Sequence, residues 1–175
     1  MQDLDLVKPS EEHEPAVLEF RDEFFANGES VISGGALLEQ IESYSDWLSL
    51  IRGDRGISEL AKDWVEDSVF LAVRKTDDRI VGIIRIAHEL NDFLRQYGGN
   101  IGYSVRPSER QNGYATKMLQ LGKEFCRTLG LDKVMLGCHK DNIASQKVII
   151  KCGGVLDREQ LYVDGKPQLV YWITL

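Results

Sequence analysis

The stretch 101–119, IGYSVRPSERQNGYATKML, holds the decisive pattern of the chain. Residues 101–106 read as a strand, and Pro107 halts it because proline lacks the N–H that a ladder needs. From Tyr114 onward, Ala115, Met118, Leu119, Gly122, Phe125, Cys126 and Leu129 recur at helical spacing, with Gly130 as the stop. Between strand and helix lies Arg110-Gln111-Asn112-Gly113-Tyr114-Ala115. A loop so placed turns backbone N–H groups toward one point, where the helix N-terminus adds partial positive charge. Such a site suits a pyrophosphate. Gly113 permits a positive φ or close approach, Ala115 keeps the first turn small, and Arg110 is a candidate direct phosphate contact. Neither G-x-x-x-x-G-K-[ST] nor a G-x-G-x-x-G opening a βαβ unit is present, which argues against a Walker A loop and a dinucleotide Rossmann site. Taken alone, R-x-x-G-x-A also fits a plain loop with a helix-starting glycine.

Working outward, 69–75 (VFLAVRK) and 80–87 (IVGIIRIA) are β-rich and flank TDDR, which predicts a hairpin. Upstream, 11–26 and 36–51 are expected helices; in the second, Leu37, Ile41, Tyr44, Leu48 and Ile51 share one face. A short helix is expected over 88–97, ending at Gly98-Gly99. Downstream come a strand over 134–138, a helix from Asn142 to Cys152, and strands over 155–162 and 167–173 joined at Asp164-Gly165. The expected order is α-α-β-β-α-β-α-β-α-β-β. This predicts one domain over 1–175 of α/β (α+β) class, a central mixed, mostly antiparallel sheet flanked by helices on both faces.

Composition sets bounds. A chain of 175 residues with 43% hydrophobic and 28% charged residues can bury one real core. No apolar run approaches the roughly 20 residues that span a bilayer, and the N-terminal MQDLDLVKPSEEHEP lacks a signal-peptide layout, so a cytoplasmic protein is expected. Cys126, Cys138 and Cys152 are too few and too scattered for a disulfide framework or zinc knuckle. They read as buried reduced thiols, and no metal site is predicted. The net charge of −7 argues against nucleic acid and anionic membrane as partners. It mildly favours a cationic one such as an amine, and a homodimer is kept open.

The stretch IGYSVRPSERQNGYATKML resembles motif A of the GNAT superfamily of N-acetyltransferases: a strand, [RQ]-x-x-G-x-[GA], then a helix. The segment 141–154, DNIASQKVIIKCGG, resembles that superfamily's motif B. The resemblance spans roughly 69–175. It implies acetyl-CoA as co-substrate and the amine of a small molecule or peptide as acceptor, attacked directly in a ternary complex. It also implies that backbone groups of Tyr103, Ser104 and Val105 face the pantetheine arm and acetyl group. Backbone amides from Gln111 through Asn112, Gly113, Tyr114 and Ala115 to Thr116 would hold the pyrophosphate, with an N–H near Val105 serving the oxyanion. Asn142 would touch the pantetheine, although its plain reading is a helix N-cap.

The match has gaps. Ile149 stands where many members carry the Tyr that protonates the thiolate, Gly154 replaces the usual aromatic after the closing glycine, and the fourth strand has no Glu. The acid–base residues are therefore open. His88 and Glu89 after the third strand and His139 after the fifth are candidates for the base, each with a solvated strand-end cap as its bland alternative. Tyr103, Ser104 and Ser145 are candidate proton donors to the thiolate. The acidic residues Glu19, Glu23, Glu39 and Glu42 read as a solvated face that could also guide a cationic amine. An acyl-CoA-binding sensor or scaffold without chemistry is the competing reading.

Overall fold

A computed structural model describes residues 3–175. Met1 and Gln2, which the single-domain expectation includes, lie outside the described residues. The elements run β1 (Leu4–Val7), α1 (Glu14–Ala26), α2 (Tyr44–Ile51), β2 (Asp67–Arg74), β3 (Arg79–Ala87), β4 (Ile101–Val105), α3 (Tyr114–Thr128), β5 (Lys133–His139), α4 (Ile143–Lys151), β6 (Gly154–Leu161) and β7 (Pro167–Thr174). The strands form two sheets, β1-β2-β3-β4 and β5-β7-β6, and every named pairing is antiparallel.

The central hairpin fixes two cores through the period of two along a strand. Val81, Ile84 and Ile86 of β3 pack toward Met118 and Leu119 of α3, while Ile80 and Ile83 pack toward Phe20, Trp47 and Leu48 of α1 and α2. Helices thus cover both faces. Gly122 of α3 is needed for close approach, because a Cβ there would press on the Ile84 side chain.

The sheets meet at a single point. The Asn100 N–H donates to the Met135 carbonyl (2.7 Å), and the Asn100 side chain accepts from the Met135 N–H (2.9 Å). Past that junction no ladder joins β4 to β5 among the described residues. The gap between them opens into a cleft.

Three expectations need correction. Strand β1 was missed in a region expected to hold only helices; it pairs Leu4 to Val7 with Arg74 to Leu71. The helix expected over 36–51 begins only at Tyr44. Ala36 and Leu37 adopt positive φ (51° and 65°), and Ser43 caps the helix by accepting from the Asp46 N–H. Tertiary contacts override the spacing: the preceding loop folds over Trp47, whose Nε1–H donates to the Gly35 carbonyl (2.9 Å). The helix expected over 88–97 is a shorter helical turn that is π-helical over Leu94–Gly98, with Asn91 Oδ1 accepting from the Leu94 N–H.

Candidate active site

A cleft of about 540 Å³ opens where β4 and β5 diverge. Its walls include Tyr103 on β4, Gly137 to His139 on β5, and Asn142, Ser145 and Ile149 from α4. Ser33 and Gly34 reach it from the α1–α2 loop, and Tyr162 and Asp164 from the β6–β7 turn. The approach at Gly34 is tight: a Cβ there would collide with the Gly102 carbonyl, and Ser104 Oγ donates to the Ser33 carbonyl (2.7 Å).

The loop after β4 has the geometry its sequence suggests. Gln111 and Gly113 hold positive φ (65° and 81°), and Gly113 caps α3. Among the described residues, no acceptor meets the backbone N–H of Gln111, Asn112 or Gly113. The first turn of α3, with Ala115 and Thr116, adds the unpaired N–H groups that every helix start carries. These donors fit a pyrophosphate. Asn112 braces the turn by donating to the Glu109 carbonyl (3.0 Å), and buried Tyr114 receives a hydrogen bond from Arg74.

Arg110 does not turn toward these donors. Its guanidinium donates to Glu29 (2.8 Å) and to the Val105 carbonyl (3.2 Å) and lies over Phe24. It ties the loop to Phe24 of α1 and to the segment that follows that helix. Arg106 anchors the same loop more firmly. Its side chain is 2% exposed, bonded to the Ile80 carbonyl, Glu19 and Glu23, while Glu23 also accepts from the Ser108 N–H. Burial alone would raise the Glu23 pKa, but the hydrogen bonds from Ser108 and Arg106 leave it below the ordinary carboxylate value.

Across the cleft, Tyr103 Oη and Ser145 Oγ are 3.0 Å apart. Burial pushes the Tyr103 pKa up to about 12, so its hydroxyl keeps its proton at neutral pH. Ile149, 1% exposed, belongs to the core beside them. Asn142 is the α4 cap, accepting from the Ser145 N–H (3.1 Å). Burial raises the Cys138 thiol above its ordinary pKa, which disfavours a nucleophilic thiolate.

The three base candidates separate. His139 lines the cleft. Its Nε2 lies 2.8 Å from Asp164 Oδ2, and Tyr162 packs edge-on against the ring. Asp164 is held below its ordinary pKa by the Lys166 N–H and then by His139. His88 is elsewhere: Nε2 meets Ser68 Oγ (2.8 Å), and the ring faces Phe125 of α3. It does not line the cleft, because the residue after Ala87 turns toward α3. Glu89 is exposed and does not line it either. Glu19, Glu23, Glu39 and Glu42, read as a solvated face that could also guide a cationic amine, do not line it. Sequence reading missed Asp164, Tyr162 and Arg85, which come from segments that carry no motif. The Asp-Gly turn was the one available signal for Asp164.

Two strands part around a cleft, and the loop after one of them carries N–H donors that meet no acceptor among the described residues. The acetyltransferase (GNAT) domain family matches residues 3–155, and the chain belongs to that family. No curated protein matches it in sequence. Among solved structures it is similar to Mycobacterium smegmatis RimJ in complex with CoA-disulfide, at 21% identity and TM-score 0.73, covering 98% of this chain and 81% of that one. It is also similar to RimL, a ribosomal L7/L12 alpha-N-protein acetyltransferase in complex with coenzyme A, at 18% identity and TM-score 0.69, covering 98% and 94%. A Vibrio cholerae spermidine N-acetyltransferase SpeG chimera matches at 14% identity and TM-score 0.67, covering 98% and 94%. At these identities the likeness shows the fold.

Proposed function

We propose that the protein moves the acetyl group of acetyl-CoA to the amine of a small molecule or peptide, with both substrates bound in the cleft. The observation that carries this is the parting of β4 from β5 beside the unpaired N–H groups of Gln111 to Gly113. When bound, acetyl-CoA supplies a thioester whose carbonyl carbon is open to attack. The amine nitrogen bonds to that carbon, the carbon–sulfur bond breaks, and the amine's proton passes to His139, held by Asp164 (2.8 Å). The hydroxyl of Tyr103, backed by Ser145, gives the departing sulfur its proton and regains one from solvent, while His139 releases the amine's proton to solvent. This pair does the work that an α4 tyrosine would do at Ile149. Backbone N–H groups at the end of β4 near Val105 face the developing oxyanion.

A panel of amines, polyamines, aminoglycosides and peptides, read by thiol release from acetyl-CoA, tests the reading. Amine-dependent release, one thiol per acetylated product, is expected. Tight CoA binding with no release for any amine would instead support a sensor or scaffold.

A further inference from the structure

Arg85 is a cation that the proposed reaction leaves unused. It sits on β3 opposite Gly102 and alternates with Ile84 and Ile86, which places it on the sheet face covered by α1 and α2. Its side chain is 20% exposed and lines the cleft together with Ala87, Tyr97 and Asn100. The guanidinium is fixed in two ways: Nε donates to Asp67, and the plane lies over the Trp64 ring at 3.7 Å. Among the described residues no acceptor meets either terminal nitrogen, Nη1 or Nη2, and neither is sealed from solvent.

The charge around Arg85 does not balance. Asp67, 1% exposed, is shared with a second guanidinium, Arg55, at 2.8 Å. Two arginines on one carboxylate leave a net positive charge at the cleft wall. Among the described residues, the other Asp, Glu, His, Lys or Arg side chains lining the cleft are His139 and Asp164, and those pair with each other; the remaining titratable groups there are the hydroxyls of Tyr97, Tyr103 and Tyr162 and the thiol of Cys138. A salt bridge meant only to hold the fold would be complete with Arg55 and Asp67. A planar fork held rigid by an aromatic ring, with its free edge on a binding cleft, matches a carboxylate in two-point contact.

We infer that the acceptor carries a carboxylate as well as its reactive amine, and that Arg85 holds that carboxylate and so determines specificity. The inference rests on the acetyl-transfer reading for the identity of the amine. It predicts discrimination against polyamines, whose second charge would face Arg85 with the same sign. The overall acidity of the chain has no bearing on this, because the local charge at the wall is positive.

Matched acceptor pairs test it: free amino acids against their amides, and peptides with Asp or Glu near the N-terminus against their Asn or Gln counterparts. Two readouts are taken, kcat/KM by thiol release and affinity for CoA-loaded protein by calorimetry. Wild type should favour the acid member of at least one set by about 100-fold, consistent with a desolvated charge-assisted contact. The two sets separate a free α-carboxylate from an acidic side chain. Arg85→Gln should erase the preference with CoA affinity unchanged, and Arg85→Lys should retain part of it; a thermal melt shows that each variant folds. Acid and amide members used equally well would overturn the inference while leaving the transferase reading in place. The same holds if Arg85→Gln depresses both members alike. Preferential binding of acids without any turnover would sustain the inference and sink the transferase reading. Failure of every member to bind overturns the inference.

Discussion

Two regions beside β4 are made of different materials. On the flank proposed for the cofactor, the donors are backbone N–H groups of Gln111, Asn112 and Gly113, presented by a strand–loop–helix unit of contiguous sequence just beyond the cleft lining. On the flank proposed for the acceptor, the polar groups are side chains that line the cleft: Arg85 from β3, His139 from β5, Asp164 from the β6–β7 turn, Ser33 from the α1–α2 loop. A backbone site tolerates many side chains but demands particular φ values, so it leaves a short pattern with a glycine in a fixed place. A side-chain site assembled from distant segments leaves no local pattern at all. The difference teaches that one flank can be read before folding and the other only after it.

The sharpest way to break the comparison is to put a charge where the backbone donors converge. Gly113→Glu adds a carboxylate to the anion site at a position where a side chain would meet open space. Like-charge juxtaposition costs several kcal/mol, so CoA affinity by calorimetry should fall by more than about 100-fold. Gly113→Ala is the control. It carries only the strain of a non-glycine residue at φ 81°, about 1 kcal/mol of stability, and should still bind. A Gly113→Glu protein that binds CoA like wild type would place the phosphates elsewhere.

The cofactor flank also depends on its anchor. Arg106→Ala leaves partly exposed Glu23 with the Ser108 N–H and the more distant Arg79, and should be readable as a drop in denaturation midpoint. The pH dependence has a definite sign. The folded-state pKa of Glu23 lies below its unfolded value of 4.5, so its contribution is present in full above that pH and declines as pH falls below it. In Arg106→Ala this acid sensitivity should shrink. Equal acid sensitivity in the two proteins would show that Glu23 is not the group responsible.

Substitutions on the acceptor flank should act on rate rather than on CoA binding. His139→Gln should lower kcat/KM by about 100-fold or more, the usual yield of general base catalysis. His88→Gln should lower stability through its bond to Ser68 and leave kcat/KM near wild type. If the rate loss follows His88 instead, the roles assigned to the two histidines are reversed. Tyr103→Phe should produce the smallest change, about a 10-fold loss confined to thiolate protonation, the step worth roughly 1.4 kcal/mol. An unchanged rate would transfer that step to water.

Legibility followed the physics of each segment. The β2–β3 hairpin, β4, α3 and the β6–β7 hairpin were readable because period-two runs, a halting proline and an Asp-Gly turn act locally. Strand β1 was not, since four residues of mixed polarity become a strand only by pairing with β2. The helix start at Tyr44 was misread because Leu37 and Ile41 kept helical spacing while Ala36 and Leu37 took positive φ to wrap Trp47. At the 110–116 loop, the glycine placement made the backbone geometry legible, with positive φ at Gly113 as the start of α3. Arg110 was expected on a phosphate, and only the fold shows Glu29 beside it. His139 could be named in advance, but its partner Asp164 looked like turn chemistry and became visible only when β7 brought it back across β5.

Backbone amide exchange gives the most direct test of the claim that the cofactor flank is built from main-chain donors. Adding CoA should slow exchange of the amides of Gln111, Asn112 and Gly113 by at least about tenfold, because a bound phosphate oxygen closes each N–H to solvent. Exchange at His139 and along the β6–β7 turn should change far less. Unaltered exchange over 111–113, with protection appearing on the acceptor flank instead, would contradict the account.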